Sequence, residues 1–302
     1  MINGFININK PTGMTSSDVV VIVRGILRRA TGEKHKVGHL GTLDPMASGV
    51  LPIAIGKATR LFDYLQDKTK EYEATFKFGA QTDTLDSAGE IVATSNVLPT
   101  REQIEEVVKQ YNGYTEQIPP SYSAKSINGK RAYDLARAGV EFDLKPKRVR
   151  IDSVSLIESV EGAVELKTGK RVLSENEYAF KIVCGGGTYI RSIARDVATS
   201  LGTVGYMTSL VRTKSQRFEY DSAISIHQCE NSPLECVKPV DFALDGFAKY
   251  TLPDCVADKV LNGVAIKFDD LPKGDFIVTL DGECVAIGEA HDGTLRLKTR
   301  LK

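Results

Sequence analysis

No stretch of eighteen consecutive apolar residues occurs in the 302-residue chain, so no helix is expected to span a bilayer. The opening MINGFININKPTG lacks the basic-then-apolar plan of a secretory signal. Only five cysteines are present (Cys184, Cys229, Cys236, Cys255 and Cys284), an odd number, widely scattered and without a C-x-x-C. That pattern speaks against a disulfide framework or a structural zinc site and for reduced thiols in the cytoplasm. Net charge is also lacking: 39 basic residues balance 39 acidic ones. A whole-molecule field that would draw in nucleic acid is therefore absent, but the charge is unevenly spread. Five Lys/Arg against one acid fall between Arg24 and Lys36, and eight against three between Lys125 and Arg150. Such clusters either neutralise phosphates or are solvated helix faces. Apolar residues make up 42% and charged residues 26%, which suits a soluble chain with a proper core.

What is present reads as mixed α and β. Phe5 to Asn9 alternates as a short strand before the turn KPTG. Thr15 with Asp18 forms a capping box for a helix that Gly32 closes, although its β-branched run alone favours a strand. Val50 to Ile55 is a candidate buried strand. Tyr72 to Phe78 alternates, with Tyr72, Ala74, Phe76 and Phe78 on one face. A second capping box, Thr100 with Gln103, opens a helix reaching Tyr111. A helix is expected from Arg131 to Gly139, strands over Val149–Ile157 and Tyr178–Cys184, and a helix over Thr188–Leu201. From about Asp245 the texture changes to a short helix, Asp254–Leu261, and three short strands near Phe276, Val285 and Leu295. A piece this small is expected to pack on the main body.

The singular feature is GHLGTLDPMASGVLPI, from Gly38 to Ile53. Asp44 stands between Leu43 and Pro45, and an ionised carboxylate there is costly to desolvate unless a distant cation meets it. Most aspartates in such turns merely bond their own loop, but one in apolar surroundings is also a nucleophile or base candidate. His35, His39 and Asp44 offer a metal reading, which Gly38 and Gly41 weaken by denying the helix such spacing needs. GGGTYIRSIARD invites a phosphate-loop reading but lacks the G-K-[ST] ending, so the glycines are expected to allow close strand–helix packing. Arg191, one turn into the following helix, is then placed to aim a guanidinium at a carboxylate. Tyr72 by its alternation alone is a core residue.

Five blocks, in order, resemble the tRNA pseudouridine synthase B (TruB) family: KPTGMTSSDVV, GHLGTLDPMASGVLPIAIGKATR, KEYEATFKFGAQTDTLDSAGE, PPSYSAKSINGKRAYDLARAG and GGGTYIRSIARDVATSLG. The resemblance covers about residues 2–220 and is most specific in the GTLDP block. It implies an isomerase that converts a T-loop uridine of tRNA, position 55, to pseudouridine by base flipping, without cofactor or metal. It also implies the family's fold, a mixed and largely antiparallel sheet flanked by helices. Asp44 then falls on the catalytic aspartate, Tyr72 on the tyrosine that stacks on the base, and Arg191 on the arginine paired with the aspartate. His39 falls on the histidine that holds the T-loop open, and Lys10, Tyr189 and Leu210 on further pocket positions. Residues 116–147 correspond to an RNA-gripping thumb, with Lys125, Lys130 and Arg131 as its expected contacts; Lys125 stands one place forward of the family pattern. Residues 1–245 are expected to form the catalytic domain and 246–302 a small PUA-like RNA-binding module, in a cytoplasmic monomer that needs no protein partner. The polar stretch from Glu161 to Glu177 has no assigned role. The rival readings are a non-catalytic tRNA-folding chaperone, a metal-dependent hydrolase, and a related synthase acting on another RNA.

Overall fold

The computed structural model describes residues 2–65, 68–123, 125–127, 129–140, 142–244 and 246–301. The first part of the chain runs β1 (Gly4–Lys10), α1 (Ser16–Thr31), β2 (Val37–His39), β3 (Ser48–Ile55), β4 (Lys70–Phe78), β5 (Ala80–Thr82) and β6 (Ile91–Thr94). Then come α2 (Arg101–Lys109), β7 (Gly113–Gln117), the small pair β8 (Ser126–Ile127) and β9 (Lys130–Arg131), α3 (Ala132–Arg137) and β10 (Lys147–Leu156). A hairpin of β11 (Ala163–Leu166) and β12 (Gly169–Val172) precedes β13 (Glu177–Cys184), α4 (Ile190–Ser200), β14 (Gly205–Ser215), β15 (Phe218–Glu219) and α5 (Ile226–Asn231). The last part holds β16 (Lys249–Thr251), α6 (Asp254–Leu261), β17 (Ile266–Lys267), β18 (Asp275–Leu280), β19 (Glu283–His291) and β20 (Thr294–Arg300).

Both capping boxes form. The Thr15 hydroxyl accepts from the Asp18 N–H while the Asp18 carboxylate accepts from the Thr15 N–H, and Gly32 ends α1 in the left-handed conformation. Caps thus override the β-branched run, because a helix with its free N–H groups satisfied can bury Val19, Val23, Ile26 and Leu27 along one face. The large sheet has the order β1-β3-β14-β4-β13-β10-β7 and is antiparallel except where β14 meets β3. Tyr72, Ala74, Phe76 and Phe78 all point into the main core, with Ile193 and Val197 of α4 and Ile104 and Val108 of α2.

The central strand β14 gives no clear signal in the sequence. Its pairing with β4 shifts register between Met207 and Ser209 and again between Arg212 and Lys214, so its inward positions break the two-residue period. Glu161 to Glu177 proves to be the β11–β12 hairpin. It is tied down where the Lys167 N–H donates to Glu73 and Arg171 meets Glu177 at 2.9 Å. The helix expected from Thr188 begins at Ile190, so Arg191 is its second residue and not a turn inside it.

The C-terminal strands form a separate five-stranded sheet, β16-β18-β19-β20-β17. It has its own small core around Phe276, Val278 and Val285. Its other side shares a core with the body, where Ile277, Ile287 and Leu301 pack with Phe5, Val50 and Phe218.

Candidate active site

Asp44 sits on a loop whose backbone is bound on every side. Arg212, fully buried on β14, donates to the carbonyls of Gly41 (3.0 Å), Thr42 (3.3 Å) and Val50 (2.7 Å). The Ser16 hydroxyl, at the start of α1, accepts from the Leu43 N–H at 2.8 Å and donates to the Leu43 carbonyl at 3.0 Å. Lys10, also fully buried, donates to the carbonyls of Pro11 (2.8 Å), Met14 (2.7 Å) and Pro45 (3.4 Å). Burial lowers the Lys10 ammonium to about 8. This lysine, expected at a pocket position, donates to three carbonyls and braces the loop. A loop held this way keeps the Asp44 carboxylate in one position.

The cation that answers Asp44 comes from α4. Arg191 Nη2 lies 3.0 Å from Asp44 Oδ2, with the arginine buried and the Asp44 side chain one-third exposed. The contact to Asp44 is made by one nitrogen. Arg191 Nη1 instead faces Asp86 Oδ2 at 3.3 Å, and the guanidinium also donates to the carbonyls of Thr84 and Tyr122, each at 2.9 Å. Asp86 is itself buried and accepts from the Thr84 hydroxyl at 2.7 Å and the Ala88 N–H at 3.0 Å. The guanidinium is thus fixed by a buried carboxylate and two carbonyls, and it offers one edge to Asp44. Gln117 holds the start of the same helix: its amide accepts from the Tyr189 N–H at 2.8 Å and donates to the Tyr189 carbonyl at 3.1 Å.

These groups surround a cavity of about 210 Å³ lined by Asp44, Lys70, Tyr72, Tyr189, Arg191 and Leu210, among others. Pockets for drug-sized ligands measure roughly 300–1,000 Å³, so this space suits a smaller group. Tyr72 pairs with Arg212 across β4 and β14. Burial pushes the phenol up to about 12, so it stays protonated at neutral pH. Lys70, two residues before Tyr72 and on the same face of β4, is lowered to about 8 by burial, with Arg212 adding to the effect. His39 is lowered by burial and by Arg212 and Lys70, which leaves its ring neutral at pH 7.

Of the residues expected at the site, Asp44, Tyr72, Tyr189, Arg191 and Leu210 line this one cavity. Lys125 and Lys130 stand apart from it: Lys125 Nζ is 3.4 Å from the Lys145 carbonyl, and Lys130 is exposed on β9. The Arg131 side chain lies outside the described residues. Sequence reasoning missed Ser16, Lys70, Asp86, Gln117 and Arg212. Ser16 lies inside the KPTGMTSSDVV block and Asp86 and Lys70 inside KEYEATFKFGAQTDTLDSAGE, whose order was the available signal; Arg212 stands two residues after Leu210 in TSLVRT, and Gln117 gave none. The triple glycine also has another reason than the expected strand–helix packing. Gly187 has φ +85°, in the left-handed region that favours glycine, and a Cβ on Gly186 would lie 3.3 Å from the Lys68 side chain. Among the described residues no three His, Cys, Asp or Glu side chains converge on one point.

Residues 28–190 match the model of the TruB family pseudouridylate synthase (N terminal domain). The tRNA pseudouridine synthase B of Clostridium kluyveri is 39% identical over 266 residues, 88% of this chain and 86% of that protein. The Bacillus subtilis protein of that name is 36% identical over 96% of this chain and 94% of its own length. That of Geobacillus thermodenitrificans is 39% identical over 96% and 95%. By shape, 99% of the chain follows a chain in the structure of an H/ACA RNP bound to a substrate RNA containing 2'-deoxyuridine. The TM-score there is 0.69, at 21% identity, with 85% of that chain covered. A chain of a Cbf5–Nop10–Gar1 complex gives 0.67 at 23% identity, with 99% of this chain and 84% of that one covered. At such identity the likeness is one of fold.

The sheet, the curled C-terminal module and these relatives define an RNA pseudouridine synthase, an isomerase acting on tRNA. The chain belongs to the TruB family.

Proposed function

We propose that the substrate is the uridine at position 55 in the T-loop of tRNA, and that Asp44 starts its conversion to pseudouridine. The observation that carries this reading is the 3.0 Å contact between Asp44 and Arg191 on the wall of a base-sized cavity that Tyr72 shares. The isomerisation breaks the N1–C1′ bond, turns the uracil, and joins C5 to C1′. Neither C1′ nor C6 is accessible while the base is stacked, so the nucleotide must be extruded, at a cost of about a few kcal/mol. The neutral, flat ring of His39 suits contact with the bases of the opened loop better than it suits neutralising a phosphate.

Attack on C1′, attack on C6 and removal of a sugar proton all begin from the same ionised Asp44 oxygen. Where the base is freed, the N1–C1′ electron pair leaves with it and the uracil becomes an anion. The ammonium of Lys70 faces that same cavity and balances this charge. Tyr72 gives the detached ring a surface to lie on, a contact worth about 1–3 kcal/mol for a base, and Leu210 closes the apolar side against escape. After C5 bonds to C1′ its hydrogen must leave, and N1, freed from the sugar, must gain one. A phenol raised to about 12 is a poor free base, so Tyr72 receives the C5 proton while its own hydroxyl proton passes to solvent, and N1 takes one up in exchange.

The same reading takes residues 1–245 as the catalytic domain and 246–302 as a PUA-like RNA-binding module. Residues 116–147 act as a thumb on the T-arm, in a cytoplasmic monomer. The test is to incubate the protein with unmodified tRNA, without added metal or nucleotide, and to map pseudouridine by chemical labelling. Conversion is expected at position 55, and Asp44→Asn should lower turnover at least ~10⁴-fold, as loss of a nucleophile does elsewhere, with tRNA binding kept. An active, folded Asp44→Asn enzyme sinks the assignment. Product at another position sinks the substrate.

A further inference from the structure

Four cations that the catalytic reading leaves unused surround one pocket on the flank of the molecule. Arg24 and Arg28 stand one turn apart on α1, and Lys34 and Lys36 lie on the segment leading into β2. With His35 and Val37 they line a cavity of about 350 Å³. All four are exposed, and among the described residues none of them pairs with a carboxylate. The neighbouring Arg29 behaves differently, meeting Glu230 of α5 at 2.6 Å. The floor is firm: His35 and Val37 are buried, and the Thr31 hydroxyl lies 2.9 Å from His35 Nε2.

Folding alone does not account for this cluster. Like charges four residues apart work against a helix. The helix dipole favours a cation in the last turn, which covers Arg28, but Arg24 stands before that turn and both lysines lie beyond the Gly32 cap. In a chain of zero net charge, four unpaired cations around one concavity fit a polyanion. The place fits as well. From Lys36 the chain runs three residues along β2 to His39, which feels the charge of Lys70 at the active cavity. Three extended residues span roughly 10 Å, and one strand of a nucleic-acid helix rises about 3.4 Å per nucleotide.

We infer that this pocket binds backbone phosphates of the substrate RNA strand, within a few nucleotides of the one that enters the active cavity. The inference rests on the tRNA reading and adds a second, electrostatic anchor to it. Phosphates there neutralise the four cations and fix the register of the strand, so that the right uridine reaches Asp44.

The test uses the full chain carrying Arg24→Glu with Arg28→Glu, and an unmodified T-arm stem-loop RNA titrated over a range of salt. Kd should rise at least ~10-fold, and the slope of log K against log salt should shrink by about 1–2, the signature of one or two lost phosphate contacts. Turnover at saturating RNA should stay within about twofold, since neither arginine touches the reacting atoms. Arg24→Lys with Arg28→Lys should keep most of the affinity and the full salt slope, as counterion release follows the charge. Lys109→Glu, an exposed charge reversal on α2, serves as the control and should leave Kd and slope nearly unchanged. A wild type that binds, with a double-Glu variant that matches it, overturns the inference and leaves the tRNA reading standing. An equal loss in the Lys109→Glu control does the same, by reducing the effect to a general field. A wild type that does not bind the RNA overturns both.

Discussion

At the scale of single residues, Asp44 was legible because a carboxylate between Leu43 and Pro45 demands a partner, and the block order named Arg191. Its supports were not legible. Arg212, Lys10 and Gln117 are polar side chains buried in or beside strands, where in sequence they look like solvent-facing positions. Their purpose appears only when the carbonyls they bind are seen. Lys70 is the sharpest case, because its lowered proton affinity yields a directional prediction. A cation lowered from 10.5 to about 8 carries its charge below pH 8 and loses it above. The profile of kcat/KM, which reports the free enzyme, should therefore fall as pH rises through about 8. Bound RNA adds negative charge and raises the affinity for that proton, so the matching fall in kcat should lie at higher pH. In Lys70→Met the activity at pH 7 should be at least ~10-fold lower and the fall near 8 absent. A fall that persists unchanged in the variant assigns it to Lys10, which is also lowered to about 8.

Elements defined by one clear period were read correctly: the alternation of β4 and the capped ends of α1 and α2 stand in the structure where expected. Those defined by partners were not. β14 lies between β3 and β4 and carries both Arg212 and Leu210, yet its two bulges hide it. Its tight approach to β3 leaves a mark in the sequence as Gly49 of the S-G-V triplet. Gly49 has φ +100°, and a Cβ there would lie 2.3 Å from the Arg212 carbonyl oxygen. Gly49→Ala therefore forces β3 and β14 apart at the residue that pins the Asp44 loop. The expected cost is about 2–4 kcal/mol of stability, read as a lower urea midpoint. Turnover should fall more steeply than the loss of folded protein explains. A variant with the wild-type midpoint would mean that the two strands separate there without cost.

At the scale of the whole molecule, the sequence marked the change of texture near Asp245 and the small size of the C-terminal part, and size alone suggested that this part leans on the rest. How it leans could not be read, because the contacts join residues more than two hundred positions apart. The Asn3 amide donates to the Leu301 carbonyl at 3.1 Å, and the Tyr64 and Thr299 hydroxyls lie 2.9 Å apart. Between them Ile287 of β19, fully buried, packs in one core with Phe5 of β1 and Val50 of β3. β3 is the strand that directly succeeds the Asp44 loop. If that shared core joins the two parts energetically, truncating Ile287 must weaken both together. Ile287→Ala should cost about 2–5 kcal/mol, lowering the midpoint of a single transition seen alike by circular dichroism and by loss of activity. Two separated transitions, with turnover surviving the first, would show instead that the C-terminal sheet only rests on the catalytic body and that its core contributes nothing to holding Asp44 in place.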